Sequence, residues 1–205
     1  LHHNPKPRVC FLPTASGCAE GYIEKFYGAF DSLGSENSHL DLVRYNQPDP
    51  HEYLLHQDVI YVGGGNSFQM LLVWRAHGID QTLRRAWEQG TVLCGLSAGS
   101  LCWFEGSLTD SWGHPVRVLD DGLGLLPGSH CPHYDTEIDR RPLYESAILD
   151  GSLPSGVAVD DHCGLLYRGT QVIESVCSVS GRGAYRVTLV DGLIETTSIP
   201  TRLIF

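Results

Sequence analysis

The segment from residue 91 to residue 103 constrains the fold more than any other part of the chain. A strand-like apolar run, Thr91-Val92-Leu93-Cys94, passes directly into Gly95-Leu96-Ser97-Ala98-Gly99, and helix-compatible residues follow. A buried strand that turns at once into a helix is typical of a layered α/β fold. The turn has the G-x-S-x-G pattern of a nucleophile elbow, in which small neighbours let one serine protrude from a tight turn. The pattern predicts that Ser97 is a nucleophile, and the alternative is a purely structural turn.

Strand-like and helix-like periods alternate along the first hundred residues. Residues 21–33 place apolar side chains three and four positions apart, which predicts a helix with one apolar face. Gly78 interrupts the helical pattern of residues 71–89, which predicts one broken helix or two short ones. The predicted strands of this half are residues 8–12, 40–43, 58–62 and 91–96.

The second half of the chain has a different pattern. Residues 104–128 are irregular and rich in Gly, Asp and Pro, which predicts loops with short strands over a functional site. The last third is rich in strands, predicted at residues 157–159, 164–167, 172–176 and 185–189. The alternation of strand and helix predicts a single α/β domain, residues 1–205, with a largely parallel sheet.

Composition excludes several classes of partner. The chain carries 24 Asp and Glu against 14 Lys and Arg, a net charge of −10, and it has no basic stripe. We therefore expect no nucleic acid and no membrane as partner, which leaves small-molecule or peptide chemistry. Our expectation is a small peptide substrate and a monomer or homodimer. The seven cysteines are an odd number without paired spacing, which predicts reduced core thiols in a cytoplasmic protein instead of a disulfide framework.

A glycine-rich loop follows the predicted strand at residues 58–62. Gly63-Gly64-Gly65 leaves backbone N–H groups uncovered at the end of a strand. Such amides can stabilise the oxyanion of an acyl-transfer reaction together with the N–H of the residue after the nucleophile, here Ala98. The loop could also simply turn the chain, but no Lys-Ser/Thr pair follows it, as a P-loop would require.

A serine nucleophile needs a base and a carboxylate that orients the base. The candidate bases that follow Ser97 are His114, His130, His133 and His162. Asp160 and Asp161 are the strongest candidate acids, because they close a strand at the edge where α/β sheets hold ligands. The other candidate acids are Asp110, Asp135 and Asp139.

Four segments together resemble the peptidase E family of serine peptidases, which holds aspartyl dipeptidases and the related cyanophycinases. They are residues 63–69 (GGGNSFQ), 95–100 (GLSAGS), 132–134 (PHY) and 159–161 (VDD), and their order and spacing match that family. The resemblance implies a class I glutamine amidotransferase-like fold, a three-layer α/β sandwich with a largely parallel central sheet. It also implies a serine dipeptidase that hydrolyses Asp-Xaa dipeptides without a cofactor or metal.

The resemblance assigns roles to individual residues. The implied catalytic residues are Ser97 as nucleophile, His133 as base and Asp161 as acid, with Asp160 as the alternative because relatives often have glutamate at the third position. The implied oxyanion donors are Gly65 (or Gly64) and Ala98. The implied substrate-binding residues are Asn66 and Arg140, with Arg141 as the alternative to Arg140.

Four other interpretations stay open at this point. An α/β-hydrolase runs in the order serine, acid, histidine, which would require His162 with Asp135 or Asp139. The segments His130-Cys131-Pro132-His133 and His162-Cys163 contain zinc-ligand residue types, although their spacing matches no standard zinc pattern. The chain could also be a cyanophycinase-like hydrolase, or a binding protein that keeps the fold with a decayed site.

Overall fold

In a computed structural model, residues 5–204 are described, and the predictions that fall on residues 1–4 and 205 lie outside them. The chain divides into two compact units, Leu1–Ser100 and Leu101–Phe205. The expectation that residues 1–205 form one domain stays a prediction. Within the described part of the chain, every helix is too short or too polar to cross a membrane.

The first unit contains a parallel sheet and four helices. Its elements are β1 (Arg8–Leu12), α1 (Glu20–Phe30), β2 (Glu36–His39), α2 (Pro50–Leu55), β3 (Val59–Val62), α3 (Ser67–Ala76), α4 (Ile79–Glu88) and β4 (Val92–Gly95). The strands are ordered β2-β1-β3-β4, and each adjacent pair is parallel. The two helices predicted on either side of Gly78 are confirmed, and Gly78 has the left-handed φ of 67° that ends one helix and begins the next.

Helix α1 covers the middle of this sheet with the apolar face that its spacing predicts. The Phe26 ring stacks on that of Phe11 in β1, with ring centroids 4.8 Å apart. Tyr61 of β3 adds a third ring, with its centroid 6.1 Å from that of Phe26. These contacts fix the carboxyl ends of β1 and β3, from which the glycine-rich loop emerges.

The strand predicted at residues 40–43 is wrong, since the strand lies four residues earlier, at Glu36–His39. The carboxylate of Asp41 accepts hydrogen bonds from the backbone N–H groups of Val43 (2.8 Å) and Arg44 (2.9 Å), and these bonds fold the segment into a turn. The polar sequence of β2 is compatible with a strand because β2 lies at the edge of the sheet. The prediction failed because the apolar residues Leu40 and Leu42 are buried by a turn.

The second unit is mostly strands. The four-residue helix α5 (Ala98–Leu101) leads into it, and its further elements are β5 (Phe104–Thr109), β6 (Arg117–Leu119), β7 (Leu126–Cys131), α6 (Arg140–Leu149), β8 (Gly156–Val159), β9 (Cys163–Arg168), β10 (Gln171–Cys177), β11 (Ala184–Val190), β12 (Leu193–Ile199) and β13 (Thr201–Leu203). Six strands form a sheet in the order β12-β11-β8-β7-β5-β6, in which β5, β7 and β8 are parallel. The other three form a sheet in the order β13-β10-β9. Because β7 and β8 are parallel neighbours, the residues that follow them meet at one edge of the sheet.

The expectation that all seven cysteines are thiols is wrong for two of them. Cys163 and Cys177 form a disulfide, and they are direct partners in the antiparallel pairing of β9 with β10. The sequence alone does not indicate this pair, because the two cysteines are 14 residues apart and adjoin only through the strand register. The other five are free thiols, and burial raises the pKa of Cys10 and Cys131 to about 12, as expected for core residues.

Candidate active site

Ser97 lies at a strained turn between β4 and α5. Its φ of 52° is in the left-handed region, which non-glycine residues rarely adopt. The turn is closed by two glycines, since a Cβ atom added to Gly95 or Gly99 would overlap with the carbonyl oxygen of Val62 in β3. The elbow predicted from the sequence is therefore present, with its glycines packed against the neighbouring strand.

Replacing Gly99 with alanine is expected to lower the free energy of unfolding by about 3 kcal/mol, because the new methyl group has no space beside Val62. Gly28→Ala is the matched control, since Gly28 lies in α1 and nothing lies within 4 Å of the position that a Cβ would take there. The control should gain up to about 1 kcal/mol. Urea denaturation measures both changes, and equal stability of the two variants would contradict the proposed packing of the elbow.

The glycine-rich loop lies directly beside the serine. A Cβ on Gly64 would be 3.3 Å from the Cβ of Ser97, which is a tight contact, so glycine favours this close approach. The N–H of Gly64 donates to the hydroxyl of Tyr22 (2.9 Å) and is therefore already in use. Across the described residues 5–204, by contrast, the N–H groups of Gly65 and Ala98 have no protein acceptor. This difference favours Gly65 over Gly64 as the oxyanion donor.

Gly65 could not be any other residue. Its φ is 138°, and an added Cβ would overlap with the carbonyl oxygen of Ala15. The next residue, Asn66, is the N-cap of α3, because its side-chain oxygen accepts from the N–H of Gln69 at 2.9 Å. Its backbone N–H donates to the carbonyl of Ala15 (2.7 Å). Asn66 thus holds the loop against its neighbours, and its expected contact with substrate stays a prediction.

His133 and Asp161 meet in the second unit. His133 follows β7 by two residues and Asp161 follows β8 by two, so the parallel pairing of these strands brings them together. His133 Nδ1 lies 2.6 Å from Asp161 Oδ1, a hydrogen bond that leaves Nε2 on the opposite side of the ring. His133 has a left-handed φ of 58°. Both side chains are partly exposed, at 29% and 31%.

The carboxylate of Asp161 is held in its charged form. Partial burial by itself would raise the pKa, but hydrogen bonds with Thr136 and His133 and the charge of Arg182 hold it below its ordinary value of 3.8. Thr136 Oγ1 donates to Asp161 Oδ2 at 2.8 Å. Asp161 is therefore a carboxylate throughout the neutral and mildly acidic range, as an orienting acid must be.

Asp160, the alternative acid, has a structural place. It is buried, and its Oδ2 accepts from the N–H of Gly183 (2.9 Å) and from the hydroxyl of Tyr185 (3.1 Å). These bonds attach the end of β8 to β11. Of the two aspartates, Asp161 is the one that contacts His133.

Two other candidate histidines, His130 and His162, have different surroundings. His130 is buried in the sheet, where burial lowers its pKa to about 4, and its ring stacks on that of Phe104. Among the described residues, no hydrogen bond joins the His162 ring to Asp135 or Asp139, the pairing that the α/β-hydrolase order requires. Among residues 5–204, no group of three or more His, Cys, Asp or Glu side chains could hold a metal ion. Cys163 forms a disulfide and is therefore not available as a thiolate ligand.

The Arg140 side chain is not free to bind substrate, although its position in the sequence predicts this role. Its side chain is almost fully buried, and it donates to both carboxylate oxygens of Glu137 (2.6 and 3.3 Å) and to the carbonyl of Leu108 (2.9 Å). Arg141 is 60% exposed, pairs with Glu145 through Nε alone (3.0 Å) and lies over the ring of Tyr134. Between the two arginines that the sequence leaves open, the geometry favours Arg141 as a ligand for an acidic group.

Three residues near the candidate site were missed by the sequence analysis, namely Tyr22, Thr136 and Arg182. Arg182 Nε pairs with Asp135 Oδ2 (3.1 Å), and its Nη1 donates to the carbonyl of Asp161 (3.3 Å). Only the position of Thr136, three residues after His133, could have signalled a role. Tyr22 and Arg182 are distant in sequence from every motif.

A serine at a tight strand-to-helix turn, found in the first unit, and a histidine hydrogen-bonded to a carboxylate, found in the second, are both features of serine hydrolases. The chain belongs to peptidase family S51, whose family model matches residues 1–175. It is 46% identical over 197 residues to the uncharacterized peptidase YgaJ of Bacillus subtilis, a match that covers 96% of this chain and 85% of that one. Peptidase E of a Nostoc species is 27% identical over 135 residues, 64% of this chain and 54% of that protein.

The comparison with solved structures agrees with the fold. A peptidase from an acI-B1 actinobacterium superposes with a TM-score of 0.69 at 20% sequence identity, over 95% of this chain and 81% of that chain. The resemblance to the peptidase E family and the glutamine amidotransferase-like α/β fold are therefore confirmed, and the chain is a peptidase. The roles of the individual site residues stay predictions.

Proposed function

We propose that this peptidase is a serine-type dipeptidase that cleaves Asp-Xaa dipeptides through an acyl-enzyme on Ser97. The observation that carries the proposal is the left-handed φ of Ser97 at the end of β4. Beside it are the N–H groups of Gly65 and Ala98, which have no acceptor among residues 5–204. Strain at a serine beside uncovered amides is typical of a nucleophile elbow. The hydrogen bond between His133 and Asp161 supplies the second element of a triad.

The proposed reaction has two steps. Ser97 Oγ attacks the peptide carbonyl while His133 Nε2 takes its proton, and Asp161 stabilises the resulting imidazolium through Nδ1. His133 then gives the proton to the leaving amine. In the second step His133 removes a proton from water, which attacks the acyl-enzyme and releases the aspartate.

Both steps pass through a tetrahedral intermediate with a negatively charged oxygen. The N–H groups of Gly65 and Ala98 are the proposed donors to this oxygen. The loss of one donor of this kind typically lowers the turnover number by about a hundredfold or more. Substitutions other than proline leave a backbone N–H in place, so the shape of the glycine loop decides where these two groups point.

A preference for substrates with an aspartyl side chain requires a cationic group at the site, because the net charge of −10 on the protein does not attract a carboxylate. Arg141 is the proposed ligand for the substrate carboxylate, since its terminal nitrogens are not used by Glu145 and a guanidinium can bind a carboxylate with two hydrogen bonds. The choice of an aspartyl substrate follows the resemblance of the sequence motifs to the peptidase E family, which holds aspartyl dipeptidases, and a protein named peptidase E is among the relatives of this chain. The sequestered position of Arg140 makes it a structural residue in this proposal.

The test is hydrolysis of Asp-Leu, Glu-Leu, Ala-Leu and N-acetyl-Asp-Leu by the wild-type protein and by Arg141→Gln. Turnover of Asp-Leu with a free amino terminus is expected to dominate. The Arg141→Gln variant should raise KM for Asp-Leu about tenfold or more, with little effect on Ala-Leu. Arg202→Gln is the matched control, because Arg202 is an equally exposed arginine (61%) paired with one glutamate.

Two outcomes would redirect the proposal. Equal KM values for Asp-Leu in the two arginine variants would remove Arg141 from substrate binding. Absence of dipeptide turnover in folded protein, together with cleavage of an isoaspartyl polymer, would move the activity to the cyanophycinase-like alternative. Absence of both would favour a binding protein.

A further inference from the structure

The two oxygens of the Asp161 carboxylate have different partners. Oδ1 accepts from His133 Nδ1 at 2.6 Å, and Oδ2 accepts from Thr136 Oγ1 at 2.8 Å. Rotation about the bond to the carboxyl group would exchange or break both contacts. The threonine hydroxyl is therefore placed where it can fix the direction in which Oδ1 points.

The remaining contacts of Asp161 fix its backbone and leave the carboxylate free to turn. Its N–H donates to Asp135 Oδ1 (2.9 Å), and its carbonyl accepts from Arg182 Nη1 (3.3 Å). Within residues 5–204, Thr136 is the only side chain besides His133 that is hydrogen-bonded to the Asp161 carboxylate. An aspartate has only two rotatable side-chain bonds, so one such contact is enough to choose its orientation.

Thr136 reaches Asp161 because the loop after β7 turns back on itself. The N–H of Glu137 donates to the carbonyl of His133 (3.3 Å), which closes a turn around residues 133–137. The N–H of Tyr134 donates to the carbonyl of Val159 (3.2 Å), which joins this loop to the end of β8. His133 and Thr136 thus lie on one short loop after β7. Asp161 lies on the loop after β8, and the hydrogen bond between Tyr134 and Val159 joins the two loops.

We propose that Thr136 is a positioning residue that acts through Asp161, directing the carboxylate toward His133 so that the base is kept in its productive orientation. The proposal rests on the proposed serine peptidase mechanism. Thr136 itself contacts neither substrate nor Ser97 in this role. The charged and titratable groups around the Asp161 carboxylate are His133, Asp135, Asp160 and Arg182, with Tyr185 on Asp160.

The variant Thr136→Val keeps the shape of the side chain and removes the hydroxyl. We expect kcat for Asp-Leu to fall about ten- to a hundredfold, the range for a hydrogen bond to a charged group, while KM changes less than about twofold. Thr136→Ser should restore kcat to within about threefold of wild type, because it restores the donor. Thr170→Val, at an exposed threonine of the β9–β10 turn, is the matched control and should be unchanged.

A second measurement does not depend on activity. The hydrogen bond to Asp161 Oδ1 shields the Nδ1 proton of His133 from exchange with water, so the NMR signal of this proton should weaken or shift in Thr136→Val compared with wild type. Proton NMR of the histidine ring N–H signals at one fixed pH measures this. A purely structural role for Thr136 would leave the signal unchanged.

The outcomes separate this proposal from the proposed function. If Thr136→Val leaves kcat and the His133 ring N–H signal unchanged, the positioning role is overturned. If the wild-type protein has no activity that depends on Ser97, the proposed function fails, and the NMR signal still decides whether Thr136 orients the pair. Serine rescue of both readouts is the result that supports the role.

Discussion

Replacing Ser97 with alanine is expected to reduce hydrolysis of Asp-Leu by about a thousandfold or more, with the fold intact. The reason is that no other group at the elbow can form the acyl-enzyme, so the protein loses covalent catalysis altogether. The amides of Gly65 and Ala98 would remain, and such donors with binding alone support a small residual rate. Steady-state kinetics and a thermal melt measure the two quantities.

Labelling with a serine-directed acylating reagent tests the same residue without a substrate. Wild-type protein should take up one label, and Ser97→Ala should take up none. Ser180→Ala is the control, since Ser180 is exposed and lies in the turn before β11, and it should be labelled as fully as wild type. Full labelling or near-normal hydrolysis by Ser97→Ala would remove serine acyl transfer as the mechanism.

Asp161→Asn is expected to lower kcat on the order of 10³–10⁴-fold with a small change in KM. An amide in place of the carboxylate can donate to His133 Nδ1, which favours the ring tautomer that cannot accept the Ser97 proton. Since the pKa of Asp161 lies below 3.8, its carboxylate is charged wherever the enzyme is assayed. Its stabilising contribution is present above the pKa of the unfolded chain and is lost only as the pH falls through the lower folded value.

Two further aspartates act as comparisons. Asp139→Asn should be as active as wild type, and a large loss there would favour the α/β-hydrolase order instead. Asp160→Asn should mainly lower the free energy of unfolding, because it disturbs buried hydrogen bonds to Gly183 and Tyr185. An inactive, fully stable Asp160→Asn beside an active Asp161→Asn would exchange the roles of the two residues.

The sequence predicts well those features that are determined by residues close together in the chain. The elbow at Ser97 and the break at Gly78 follow from where glycine stands in an apolar pattern, and both are present. The contact of His133 with Asp161 was implied by the family resemblance, and the parallel pairing of β7 with β8 explains it physically. Strand ends that are adjacent in a parallel sheet carry this information even without a known relative.

The features that the sequence does not predict depend on distant partners. The disulfide of Cys163 with Cys177 follows from the register of a hairpin, and the turn at Asp41 follows from a side chain that bonds to nearby backbone. Arg140 has the residue type and position expected of a substrate ligand. Only tertiary contacts with Glu137 and Leu108 reveal that its charge is used internally.

The division of the candidate machinery along the chain has a consequence for how such a protein diverges. The proposed nucleophile and the proposed oxyanion donors belong to the first hundred residues, whereas the proposed base and its carboxylate belong to the remainder. Substitutions in the second half would therefore remove the base and leave the serine turn with its uncovered amides in place. A descendant altered in this way could still bind the carbonyl oxygen of an acyl compound after it had ceased to cleave such compounds.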